Sequence, residues 1–126
     1  MSLTPEVSRR ERQILDIVYA HGEASATTVL AEIPDPPTRV TVRILLRILE
    51  QKGHLRHRKQ GREYIYQPTR SRKTAGLSAL RRVLRTFFDG SLERAVAAQL
   101  ADRRSELSPE ELKRMAELIA RARKEY

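Results

Sequence analysis

The chain has 126 residues, enough for one domain or two small ones. Its 25 Lys and Arg against 16 Asp and Glu leave a net charge of +9, and it contains neither cysteine nor tryptophan. That composition excludes disulfides, thiolate metal sites and a cysteine nucleophile, and it argues against single-strand binding on aromatic platforms.

Residues 1–7 read as a loose lead-in. Ser8-Arg9-Arg10-Glu11 has the form of a capping box, with Val7 as its staple. The first helix is expected to run to about His21, bury Ile14, Leu15 and Val18, and stop at Gly22. Ser25 can cap a second, short helix with Ala26, Val29, Leu30 and Ile33 as its apolar stripe. The stiff stretch Pro34-Asp35-Pro36-Pro37 breaks helix on both sides.

Residues 38–53, TRVTVRILLRILEQKG, organise the rest. Thr38 can cap this third helix and Gly53 can end it. Val42, Leu45, Leu46 and Leu49 fall on one apolar stripe, while Arg39, Arg43 and Arg47 stack four apart on another face. Such a helix suits the major groove of DNA, about 12 Å wide; the plainer alternative is a solvated basic face. Two helices, a stiff turn and a basic third helix are the helix-turn-helix arrangement.

Residues 54–58 and 63–67 read as two short strands around Lys59-Gln60-Gly61-Arg62, a hairpin or "wing". Its basic residues Arg58, Lys59 and Arg62 can reach phosphate, or they can simply be solvated. Pro68 is expected to end the second strand.

From Ser71 onward only helical periodicity is visible. Leu77, Leu80, Leu84 and Phe87 share a face, Phe88-Asp89-Gly90 closes that helix, and Ser91 can cap the next, with Leu92, Ala95, Val96 and Leu100 as its stripe. Ser108-Pro109-Glu110-Glu111 starts the last helix, with Leu112, Met115, Ile119 and Ala122 on one face. About 55 residues are near the lower limit for an adequate core. Burial of these seams against a second copy is the favoured expectation, and packing back on the same chain is the alternative. The expected fold is mostly α with a small β-wing. Residues 1–70 form a winged helix-turn-helix DNA-binding domain and residues 71–126 a helical dimerisation domain.

The charge is clustered. Residues 39–62 hold eight Lys or Arg against Glu50 alone, and residues 70–85 hold six with no acid. A polyanion-binding surface is clustered in this way. The 70–85 run can touch flanking DNA or only solvate a helix. No apolar run approaches the roughly 20 residues of a membrane span, and no signal-peptide pattern opens the chain, so a cytoplasmic protein without membrane insertion is expected. No catalytic constellation, phosphate loop or nucleophile motif is present, so no enzyme and no cofactor are expected. His21, His54 and His57 lack the neighbours of a metal site, and Glu110-Glu111 is accounted for by capping.

The order of helix, helix, TRVTVRILLRILEQKG, then GREYIYQP (61–68), then FFDGSL (87–92) and LSPEEL (107–112) closely resembles the penicillinase-repressor family, the BlaI/MecI-type regulators. The likeness runs from about Ser8 to the end. It implies a winged-helix repressor that binds palindromic operators as a homodimer through its C-terminal helices. By position it implies base contacts from Thr38, Arg39, Val40, Thr41 and Arg43. Better-known members have Lys where this chain has Val40, which can touch a thymine methyl but cannot donate a hydrogen bond. In the family, induction commonly follows cleavage at an Asn-Phe step in the fifth helix by a protease activated through a membrane sensor; the matching residues here are Gln99 and Leu100. The copper-responsive branch uses C-terminal cysteines, which this chain lacks.

On this reading Arg39 and Arg43 donate to guanine edges, Thr38 and Thr41 add hydroxyl contacts, and Arg47, Arg56, Arg58, Lys59 and Arg62 contact phosphates. The expected dimer seam comprises Leu80, Leu84, Phe87, Leu92, Val96, Leu100, Leu112, Met115 and Ile119. A different class of function, a protein-interaction module docking an acidic partner through the basic face, is the alternative.

Overall fold

Helix α1 (Arg9–His21) begins the architecture of the computed structural model, which describes residues 6–126. The expected lead-in over residues 1–7 therefore lies outside the described residues except for its last two. Ser8 caps α1 with the full capping box: its hydroxyl accepts from the Glu11 amide and the Glu11 carboxylate accepts from the Ser8 amide. Gly22, at φ 83°, turns the chain out of the helix. Strand β1 (Ala24–Ser25) and helix α2 (Ala26–Glu32) follow, with the Ser25 hydroxyl capping α2 at Thr28.

Helix α3 (Arg39–Gln51) starts at Thr38, whose hydroxyl accepts from the Thr41 amide. The loop before it is held from α1. Arg10 donates to the carbonyl of Pro34 at 2.5 Å and also to that of Asp35, which sits at φ 44°. Two strands complete the module, β2 (Leu55–Gln60) and β3 (Glu63–Pro68). The inner end of β2 runs past the expected limit, with Gln60 paired to Glu63 across a two-residue Gly61-Arg62 loop; Pro68 ends β3 as expected and is itself paired with Leu55. Gly61, at φ 65°, takes the positive-φ place that such tight hairpin loops require.

The sheet has one strand that the sequence pattern does not announce. Two residues of β1 pair antiparallel with β3, giving the order β1-β3-β2 and fastening the hairpin beside the helices. The core beneath is continuous. Ile14, Leu15 and Val18 of α1 meet Val29 of α2, Val42, Leu46 and Leu49 of α3, and Leu55 and Tyr66 of the hairpin. Leu45, expected on the apolar stripe, is only partly buried against this cluster. Each large apolar side chain so buried contributes about 1.5–3 kcal/mol.

One ion pair crosses this core. Glu11 is 5% exposed, and Lys52, at the end of α3, donates to both of its carboxylate oxygens at 2.9 and 3.0 Å. Burial pushes the Glu11 pKa up, but the Lys52 hydrogen bond, the backbone and hydroxyl of Ser8 and the Lys52 charge together outweigh it and hold the carboxyl below its usual 4.5. A carboxyl lowered by folding adds stability above its unfolded pKa and loses it as pH falls through the folded value. The urea midpoint should therefore drop as pH falls below about 5, with a shallower drop in Glu11→Gln. Equal slopes for the two proteins would refute this account of the pair.

Helices α4 (Arg72–Phe87), α5 (Leu92–Ala101) and α6 (Pro109–Glu125) form the rest. Ser91 and Ser108 cap α5 and α6 as expected, and Ser71 caps α4 at Thr74. The chain divides into two compact units, one reaching to Ser78 and one from Ala79 to Tyr126, with the boundary inside α4. The second unit has a distinctive property: not one of its residues is buried. Phe87 is 74% exposed and Ile119 59%, and Leu80, Leu92, Leu100 and Leu112 are also exposed. Leu84, Val96 and Met115 are partly buried.

Candidate nucleic-acid interface

Packing of Val42, Leu46 and Leu49 into the core turns the opposite side of α3 outward, so Arg39, Arg43 and Arg47 are all exposed along it. The hairpin beside them alternates. Lys59 pairs with Tyr64 and His57 with Tyr66, which puts these four side chains on one face. Between that face, α3 and the start of α2 lies a cleft of about 400 Å³. Arg39, Arg43, Arg47, Lys59 and Arg62 supply its cations. Ser25, Ala26 and Thr27 form the α2 wall, and Glu63, Tyr64 and Tyr66 complete the hairpin side.

Five of the expected contact residues are thus gathered around one opening. The others are placed differently. Thr38 and Thr41 are exposed, but their hydroxyls lie 3.0 Å apart and Thr38 is engaged in capping. Val40 is 64% exposed on the first turn of α3. Arg56 and Arg58 belong to the other face of β2, paired opposite Gln67 and Ile65. Arg58 also forms an ion pair with Glu23 at 2.9 Å, and the same carboxylate accepts from Gln67. Arg58 therefore braces the hairpin to the start of β1.

The hairpin is joined to α3 by a second set of contacts. His57 Nδ1 donates to the Glu50 carboxylate at 2.6 Å, and its ring stacks on Tyr64 with centroids 4.3 Å apart. Tyr66 lies 5.6 Å from the same ring. Burial first, and the nearby Glu50 charge second, raise the Tyr66 phenol above its usual 10, so it stays neutral at physiological pH. Tyr64 is more open and has the Lys59 ammonium 6.0 Å above its ring, at the edge of cation–π range.

Sequence reasoning named the cations but passed over Thr27, and it assigned no contact to Glu50 or Glu63. Thr27 accepts from Arg39 Nη1 at 3.0 Å, and Glu50 lies one turn beyond Arg47 on α3. The available signal was the alternation of EYIYQ, which assigns Tyr64 and Tyr66 to one face. The long-range partners had no local signal. Among the described residues no group of three or more His, Cys, Asp or Glu could hold a metal ion, and no helix is long and apolar enough to cross a membrane.

Three helices with a hairpin packed beside the third, basic helix define a winged helix-turn-helix module. The chain belongs to the penicillinase repressor family, whose model matches residues 7–121. It is a winged-helix transcriptional repressor, a role that is not enzymatic. The penicillinase repressor of Bacillus licheniformis is 25% identical over 121 residues, spanning 94% of this chain and 93% of that protein. The solution structure of the DNA binding domain of the repressor BlaI is 26% identical, with a TM-score of 0.50 over 56% of this chain and 89% of that one. A solution structure of monomeric Bacillus licheniformis BlaI in complex with the blaP half-operator is 27% identical, with a TM-score of 0.45 over 54% of this chain and 85% of that one.

Proposed function

We propose that this chain is a sequence-specific DNA-binding repressor that acts as a homodimer on a palindromic operator. The observation that carries the reading is the cleft, where three α3 arginines and two hairpin cations converge with one carboxylate among them. Double-stranded DNA presents the matching partner, a groove edged by regularly spaced phosphates. Arg39 and Arg43 address guanine edges, Thr38, Val40 and Thr41 line the same end of α3, and Arg47, Lys59 and Arg62 take phosphates. Arg56 serves the backbone from the outer face of β2, and Arg58 reaches it only by leaving Glu23.

The division of labour follows the chain, with DNA binding in residues 1–70 and dimerisation in 71–126. A helical unit with no buried residue favours association, because its exposed Leu, Ile and Phe side chains otherwise stay in water. A dimer places two α3 helices in successive major grooves, roughly 34 Å apart. Release requires only that the C-terminal helices part. A cut at Gln99-Leu100 in α5 by a membrane-sensor protease is one such event, and Leu100 is half exposed there.

Retention of genomic fragments by the full chain at about 0.15 M and 0.5 M salt tests the reading, since salt removes the backbone contribution first. A sequence-preferring set of fragments, sharing an inverted repeat, is the expected result. Retention without preference, or loss of all DNA together with capture of an acidic protein, would overturn it in favour of a protein-docking module.

A further inference from the structure

Tyr64 and Tyr66 both line the basic cleft, but they are held differently. Tyr66 is 6% exposed and packs in the core, whereas Tyr64 is 43% exposed. Neighbours order the Tyr64 ring all the same. The His57 ring stacks on it at 4.3 Å with 21° between the planes, and Tyr66 lies edge-on at 6.4 Å. His57 is in turn held from α3 by the Glu50 carboxylate. The Tyr64 hydroxyl, at the far end of this ordered ring, has no hydrogen-bond partner among the described residues. Packing accounts for the ring but not for the hydroxyl, since a phenylalanine would stack as well.

We propose that Tyr64 is a DNA-contacting residue whose phenol hydroxyl donates to a backbone phosphate oxygen. The proposal rests on the DNA-binding reading. The Lys59 ammonium stands 6.0 Å from the Tyr64 ring, so a phosphate drawn to Lys59 is brought beside that ring. A hydroxyl is a competent donor to phosphate, and the charge on the acceptor strengthens the bond. The stack on His57 has already restricted the ring, so little side-chain freedom is lost on binding. The contact has two signatures. It carries no base information, and, being neutral, it displaces no counterion from the duplex.

Tyr64→Phe keeps the ring, and its thermal midpoint should match wild type. Affinity is measured by fluorescence anisotropy with the full chain, over a salt series. One duplex is selected by the wild type and the other is scrambled. Tyr64→Phe should weaken both alike, by about fivefold, with the salt slope unchanged. A methylphosphonate is then placed at each phosphate of the selected half-site in turn. At one position the difference between wild type and Tyr64→Phe should vanish. Equal affinities for the two proteins would overturn the contact. A loss confined to the selected duplex would also overturn it, because the hydroxyl would then read a base. So would a difference that survives every methylphosphonate. A wild type that holds neither duplex would instead sink the DNA-binding reading, and the assignment of Tyr64 would fall with it.

Discussion

On the proposed homodimer, replacing Ile119 with Asp is expected to give a monomer and to weaken its grip on a two-half-site duplex by at least about a hundredfold. Ile119 is 59% exposed in the single chain, so the substitution removes little packing within that chain. Surface changes of this kind usually stay within about 0.5 kcal/mol of neutral. In a dimer seam the same position would bury a carboxylate among Leu112, Met115 and their counterparts, at a cost of several kcal/mol. The loss in DNA affinity would come from geometry alone. Once one subunit is bound, a tethered second subunit sees its half-site at a high effective concentration, and a free one does not. Sedimentation velocity reports the oligomeric state and anisotropy the affinity. Binding to a single half-site should be unchanged, which separates loss of pairing from loss of folding. An Ile119→Asp protein that sediments as wild type would remove this face from the interface.

The second large effect concerns α3. Arg43→Ala should lower affinity for a selected duplex by about 1–3 kcal/mol, roughly 5- to 150-fold, and leave scrambled DNA nearly untouched. Lys59→Ala should weaken both duplexes alike and reduce the salt slope by about one unit. The contrast follows from placement. Arg43 projects from α3 without a partner, whereas Lys59 lies one pair from the hairpin loop, beside the Tyr64 ring. Competition anisotropy at two salt concentrations measures both. Parallel losses for the two variants on the two duplexes would erase the distinction between base and phosphate contacts.

Much of this was legible in the amino-acid order because the determinants are local. A serine or threonine hydroxyl capping the amide three residues on starts all six helices, and five of these caps, Ser8, Ser25, Thr38, Ser91 and Ser108, were legible, with Ser71 the sixth. The α3 stripe of Val42, Leu46 and Leu49 is likewise a periodic signal, and it dictates which way the arginines face. What stayed hidden depends on residues far apart in the chain. Two-residue β1 is too short to have a period and exists through its pairing with Ile65 and Tyr66. The Arg58–Glu23 pair spans 35 positions, and the Glu11–Lys52 pair 41. Arg58 therefore has a carboxylate partner that its local sequence does not announce. Thr27 was missed for the same reason: its hydrogen-bond partner is a guanidinium on another helix.

The fastening of the hairpin to α3 has a consequence for the duplex. Glu50, His57 and the two tyrosines tie α3 to the hairpin that carries the basic loop. On the proposed reading, a clamp held to one span by these contacts would leave the adjustment to the nucleic acid. Operators on the proposed reading would then be favoured for how readily they flex as well as for the letters they display. Pliant pyrimidine–purine steps where the two reading heads meet would lower the cost of the fit, even at base pairs that no side chain touches.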